Sequence, residues 1–173
     1  DRTKLRQVTD RKAELFRVHT SQYKPALFPG TVEFVKAALH NYRLAIASGG
    51  RREQIDQALR ETAIEKDFEV IVSAEDCPVG KPDPAIYLLA LQRLNERQPD
   101  LPPLAPRDCL VIEDSKAGIQ SARHAGMRVL GLATTYRGGH LTEADRVLPT
   151  LSGITPEHLC RSLENITRAT RPF

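Results

Sequence analysis

Apolar residues change their spacing several times along the chain, and each change marks an element boundary. In residues 3–24, Leu5, Val8, Leu15 and His19 return to one face every three to four residues with Lys and Arg between them, which predicts an amphipathic helix. Phe28-Pro29-Gly30 breaks that pattern. Thr31 is then a candidate N-cap for a second helix, whose Val32, Val35 and Leu39 share a side and which ends near Asn41. From Tyr42 the period shortens. Leu44-Ala45-Ile46-Ala47 is an apolar run stopped by Ser48-Gly49-Gly50, as expected of a strand buried on both faces. A helix over 51–61 follows. The alternation repeats with strands at 69–72, 109–112 and 127–132, helices at 84–94 and 115–125, a short strand at 145–148 and a final helix at 156–168. Strands alternating with helices of this length require crossover connections, so the fold class expected is α/β with a doubly wound, mostly parallel sheet covered on both faces. Pro99, Pro102, Pro103 and Pro106 interrupt the rhythm between 98 and 106, where they predict a stiff exposed loop.

Composition narrows the class of partner. The 173 residues suit one domain with a small appendage, and no apolar run reaches the roughly 18 to 20 residues that cross a bilayer, so no membrane span is expected. The 25 basic and 22 acidic residues are dispersed, without the basic stripe and interleaved aromatics of a nucleic-acid groove. Nucleic acid is therefore not an expected partner. Cys77, Cys109 and Cys160 are odd in number and lack metal-site spacing, which fits a reducing, cytoplasmic setting. The five histidines share no ligand spacing either. With no Trp and four Tyr there is little aromatic anchoring for a large interface, and a monomer or weak homodimer is expected.

Three segments concentrate the chemistry, all where a parallel sheet gathers its ligands, beyond the carboxyl ends of strands. Ser48-Gly49-Gly50 offers a hydroxyl and amides that a phosphate could approach closely, and reads equally as a tight strand-to-helix turn with an N-cap. Gly80-Lys81-Pro82-Asp83-Pro84 holds a lysine between turn-forming residues, with Asp83 placed to cap the next helix and Pro84 at its first position. Val111-Ile112-Glu113-Asp114-Ser115 ends an apolar strand in two adjacent carboxylates. Like charges about 4 Å apart cost on the order of 4 kcal/mol at an effective dielectric near 20, and a divalent cation would reverse that. Magnesium suits an all-oxygen site, while Asp114 or Ser115 could also cap the following helix.

In this order the segments, with Phe28-Pro29-Gly30 before them and Ala125-Gly126-Met127 after, resemble the haloacid dehalogenase superfamily. The likeness is to its helical-cap branch, which includes beta-phosphoglucomutase and phosphoglycolate phosphatase. The resemblance implies a Rossmann-like core over 28–173 and the last part of a helical cap over 1–27. It implies Ser48 and Lys81 as catalytic residues that bind the phosphoryl group with the Gly49 amide, and Glu113 and Asp114 as ligands of Mg2+, Asp114 above all. Gly118 is expected to let helix approach sheet, and Gly126 to end the helix. The family's nucleophile, an aspartate in an N-terminal Asp-x-Asp motif, has no counterpart here, since Asp1 and Asp10 lie in or beside a helical pattern. The chain is thus expected to be a fragment lacking the first core strand, which would stand between the strands ending at Ser48 and Glu113, and to be inactive alone. The activity implied for the full-length protein is a magnesium-dependent phosphatase of small phosphorylated metabolites, such as a sugar phosphate or phosphoglycolate, through an aspartyl-phosphate. The alternatives are a phosphomutase and a truncated, non-catalytic phosphate-binding protein. Cys77 stands near Lys81 in the same loop, and Arg51 and Arg52 follow the turn that would meet a substrate phosphate, though ordinary loop and surface roles fit these three better; Lys12 could face the cleft from the cap segment.

Overall fold

A computed structural model describes residues 27–134 and 141–169, together with Gln7 and Arg11. Gln7 and Arg11 are helical; the rest of the helix expected over 3–24, and with it the cap segment and Lys12, lies outside the described residues. The elements follow the predicted alternation: α1 (Thr31–Ala38), β1 (Ala45–Ala47), α2 (Arg52–Arg60), β2 (Val70–Val72), α3 (Ala85–Arg97), β3 (Leu110–Glu113), α4 (Lys116–His124), β4 (Arg128–Leu132), β5 (Arg146–Leu148) and α5 (Pro156–Ala169). All strand pairings are parallel. β1 pairs with β2, with Ile46 opposite Ile71. β3, β4 and β5 form a second sheet in that order, with Ile112 opposite Leu130 and Gly131 opposite Val147. Among the described residues β1 and β3 share no ladder.

The period-two geometry of a strand sends alternate side chains to opposite faces, and both faces are covered. Ala45, Ala47, Val70 and Val72 face one core with Ile86, Tyr87, Ala90, Leu91 and Leu94 of α3 and with Ile119 and Ala122 of α4. Ile46 and Ile71 point the other way, onto Ile55 and Leu59 of α2 and Val32 and Val35 of α1. In β4, Val129 belongs to the first core, while Leu130 and Leu132 pack with Phe34 of α1 and Leu159 and Leu163 of α5. Val129 and Leu130 are fully buried, and each such side chain stabilises the fold by about 1.5 to 3 kcal/mol. This is the doubly wound arrangement, with α3 and α4 on one face and α1, α2 and α5 on the other. No helix among the described residues is long and apolar enough to cross a membrane.

α1 and α3 differ from expectation at their boundaries, α3 running on to Arg97, three residues past its expected end. The N-cap of α1 is Gly30 rather than Thr31, and no side chain caps it. Gly30 is left-handed, at φ 85°, and a Cβ there would lie 2.3 Å from the Ser152 amide nitrogen. Close packing against the 151–152 backbone fixes the turn, and Thr31 simply begins the helix. α1 also stops at Ala38, three residues early, where the Tyr42 amide closes a turn onto Ala38 O at 2.9 Å. The proline-rich connection is held to the end of α3 by Asn95, which donates to Leu104 O at 3.0 Å and accepts from Leu104 N at 2.9 Å.

The loop from β2 towards Lys81 is anchored at its start by Asp76. Its carboxylate accepts from the Ser73 amide and hydroxyl at 2.9 and 2.7 Å and from Arg93 at 2.8 Å. These bonds, the Ser73 amide first, lower its pKa from 3.8 to about 2. A depressed carboxyl contributes stability that is complete above its unfolded value and disappears as pH falls through the folded one. The thermal midpoint should therefore drop as pH falls from about 3.8 to about 2, and the Asp76→Asn variant should show a shallower drop over that window.

Candidate functional site

β1 delivers Ser48 to the carboxyl edge of its sheet, where the Ser48 amide bonds Val72 O at 2.9 Å. The Ser48 hydroxyl oxygen accepts from the Gly50 amide at 3.1 Å, which leaves the hydroxyl hydrogen free to donate outward. A Cβ on Gly49 would meet nothing within 4 Å, so its backbone borders open space, and no described group accepts from its amide. The next amides are occupied: Arg51 N donates to Gln54 Oε1 at 3.1 Å and Arg52 N to Glu75 Oε2 at 3.0 Å. An incoming anion would thus meet Ser48 and Gly49 before the helix proper. Arg51 and Arg52 are exposed, and Arg52 pairs with Asp56 at 2.8 Å.

Lys81 reaches across the open side of both sheets. Its ammonium donates to Glu113 Oε1 at 2.5 Å on β3, to the Tyr87 hydroxyl at 2.9 Å on α3 and to Ala47 O at 3.3 Å on β1. It also stands 4.6 Å from the centroid of the Tyr87 ring, within cation–π range. Pro84, expected at the first helical position, is instead the N-cap of α3, which no side chain caps; Asp83 just before it accepts from Ala85 N at 2.9 Å, and the Lys81–Pro82 peptide is cis.

Glu113 is the most heavily solicited group in the site. Oε1 accepts from Lys81 and, at 3.1 Å, from the Tyr87 hydroxyl. Oε2 accepts from the amides of Asp114 and Ser115 and the Ser115 hydroxyl, at 2.9, 2.9 and 3.0 Å. Burial alone would raise its pKa, but the Lys81 charge and these hydrogen bonds outweigh it and hold the carboxyl below its ordinary value. The Tyr87 hydroxyl is pushed far up by burial and then by the Glu113 charge, so it stays protonated. Ser115 both touches Glu113 and caps α4, accepting from Gly118 N at 3.0 Å.

Gly118 has a more local task than letting helix approach sheet. A Cβ there would fall 2.0 Å from Glu113 Cδ and Oε1 and 2.4 Å from Oε2, so the glycine makes room for that carboxylate. Gly126, at φ 76°, ends α4 as expected.

Magnesium requires oxygen donors with lone pairs directed at it. A carboxylate has about four lone-pair sites, and those of Glu113 are taken up by Lys81, Tyr87 and the Asp114–Ser115 turn. A cation held by Glu113 jointly with Asp114, as the sequence leads one to expect, would have to replace one of these hydrogen bonds. Asp114, half-buried at the end of β3, supplies the remaining carboxylate. Magnesium characteristically takes one or two carboxylates and completes its shell with water and phosphate oxygens, and Asp114 fits that role. Among the described residues no three His, Cys, Asp or Glu side chains gather into a ready-made metal cage.

Of the other residues weighed, Cys77 is buried in the first core, its thiol 3.6 Å from Val79 O. His124 lies at the surface, 3.2 Å from Pro82 O. His19 and His140 fall outside the described residues. Tyr87 and the spatial role of Gly118 were not foreseen. The signal for Tyr87 was an aromatic with a polar tip six residues beyond Lys81, on a helix face otherwise made of Ile86, Ala90, Leu91 and Leu94. A cavity of about 540 Å³ lies along β2, apart from the residues at the strand ends. Arg52, Arg93 and Arg97 face Glu65, Glu69 and Glu96 around it, so it offers no net charge to a phosphate.

Comparison with known proteins bears on this geometry. Residues 3–126 match the family described as haloacid dehalogenase-like hydrolase. The chain is 37% identical over 152 residues to Protein CbbY of Rhodobacter capsulatus, covering 81% of this chain and 63% of that protein. It is 34% identical over 137 residues to the Phosphorylated carbohydrates phosphatase of Thermotoga maritima, covering 78% and 57%. The crystal structure of CbbY from Rhodobacter sphaeroides in complex with phosphate superposes with a TM-score of 0.75 at 25% identity, covering 89% of this chain and 68% of that one. The chain thus spans about three-fifths of the length of the two curated relatives.

Proposed function

The chain belongs to the haloacid dehalogenase-like hydrolases, and on that premise we propose that it carries the phosphate-binding and charge-neutralising half of a phosphatase site for small phosphorylated metabolites of the sugar phosphate or phosphoglycolate type. The observation that carries this reading is the convergence on Lys81. One ammonium touches the end of β1 beside Ser48 and the end of β3 beside Asp114, so the groups that would hold a phosphoryl ester face one another across a single side chain. The name of the Thermotoga relative, a phosphatase of phosphorylated carbohydrates, supports the substrate class.

In this reading the Ser48 hydroxyl and Gly49 amide donate to the non-bridging phosphoryl oxygens, and Lys81 offsets their charge. Asp114 would hold a magnesium ion, which when bound neutralises the phosphoryl group further. Glu113 keeps Lys81 in place rather than joining the metal. The nucleophile would be an aspartate on an upstream strand that runs between β1 and β3, the edges left unpaired among the described residues. Its carboxylate oxygen would bond to phosphorus as the ester oxygen leaves, and water would then cleave the acyl phosphate.

The test is a panel of phosphate esters given to the full-length protein with magnesium. Hydrolysis of sugar phosphates or phosphoglycolate is expected. The Asp114→Asn variant should need at least about tenfold more magnesium for half-maximal rate, a loss that even outer-shell substitutions reach. Absence of ester hydrolysis would sink the functional reading, and an unchanged magnesium requirement would sink the assignment of Asp114.

A further inference from the structure

We propose that Tyr87 is a positioning residue for phosphoryl transfer: its hydroxyl links Lys81 to Glu113 and holds the ammonium at the mouth of the site. This rests on the phosphatase reading above. A lysine ammonium sits on a flexible four-carbon stem and loses considerable rotamer freedom when fixed, so a stationary one needs several partners. Lys81 has three donors and three partners. The contact with Ala47 O, at 3.3 Å, is the longest, and it is the one that an incoming oxygen can replace. The other two, Tyr87 and Glu113, are bonded to each other, so they remain a closed triangle when the first is exchanged.

Tyr87 is well suited to this. It is 6% exposed, its ring packs in the main core, and its face lies beneath the ammonium. The hydroxyl accepts from Lys81 while its own hydrogen donates to Glu113. A phenylalanine would supply the same packing and the same ring face. Only the bridge between cation and carboxylate requires the oxygen.

Tyr87→Phe in the full-length protein separates bridge from packing. With its hydrogen bonds to both Lys81 and Glu113 lost, kcat should fall about tenfold and the thermal midpoint should fall with it, while KM changes little. A second measurement does not depend on catalysis. In protein labelled with 15N-lysine, the Lys81 ammonium, assigned by its disappearance in Lys81→Met, should give a protected 1H–15N signal that broadens or vanishes in Tyr87→Phe. An unchanged kcat, or an ammonium signal as sharp as in the parent protein, would overturn the proposal. A fall in thermal midpoint with kcat intact would do so too, since it assigns the hydroxyl to packing alone. If the full-length protein hydrolyses no phosphate ester, the phosphatase reading fails and the ammonium signal alone decides whether Tyr87 positions Lys81.

Discussion

Lys81→Met should destabilise the protein by about 3 kcal/mol and lower turnover by about 10²- to 10³-fold. The ion pair it breaks is secluded, with Lys81 15% and Glu113 10% exposed. Removing one member of such a pair leaves a buried charge without its counter-charge. Glu113 keeps the Tyr87 hydroxyl and the donors of the Asp114–Ser115 turn, which places the loss at the lower end of the usual range. The pH dependence supplies an internal check. In the parent protein the Glu113 carboxyl is held below its ordinary value, so it contributes stability above about 4.5 and loses it on acidification. Without Lys81 the burial that raises its pKa has less to oppose it, and protonation then relieves the variant. The gap in unfolding free energy, read from urea melts, should be widest near neutrality and narrow on acidification. Adding Glu113→Gln should recover part of the loss, because its amide oxygen can accept from the turn while its nitrogen donates to Tyr87. A gap that stays constant with pH would argue against a buried unpaired carboxylate.

Gly118→Ala should also be destabilising, although in an ordinary helix interior the exchange gains about 0.5 to 1 kcal/mol. The new methyl would sit 2.0 Å from the Glu113 carboxylate, a separation at which no carbon and oxygen remain. Either α4 backs away from β3 or the carboxylate swings out and gives up Lys81 and Tyr87. Overpacking of this kind costs about 1 to 3 kcal/mol and a broken buried hydrogen bond adds about 1 to 3 more, so after the helix gain a net loss of about 3 kcal/mol is expected. Thermal unfolding of the variant checks the sign. A neutral or stabilising result would mean that Glu113 relaxes without loss and that the glycine serves only the helix.

Strand positions were legible because each is a short apolar run between polar turns, and two-sided burial leaves that mark on Ala45–Ala47 and Val70–Val72 alike. Ser48, Lys81 and Glu113-Asp114 were legible for a related reason: hydroxyl, ammonium and carboxylates are costly at the end of an apolar strand or in a stiff loop unless they meet something. What stayed hidden was pairing across sequence. Nothing local to Tyr87 says that its hydroxyl meets a strand 26 residues on, and nothing local to Gly118 says that a side chain fills the space its hydrogen leaves. The same limit misdirected the cap of α1. A threonine before an apolar face is a generic start signal, whereas the contact that shapes Gly30 comes from residues 151–152. The division of labour between Glu113 and Asp114 depends likewise on counting hydrogen bonds in space.

The strands described form two ladders, and what links them is side chains rather than backbone hydrogen bonds. Ala45 finds Val70, Leu110 finds Arg128 and Leu130 finds Arg146, so each pairing closes over a single crossover between neighbours in sequence. No described ladder joins the first half to the second. In the reading proposed above an upstream strand lies between the two ladders; among the described residues they meet through the packing of α3 on α4. Lys81 precedes α3 beside the first ladder and Glu113 ends β3 in the second, so their ion pair spans the seam and ties the two ladders together at the site.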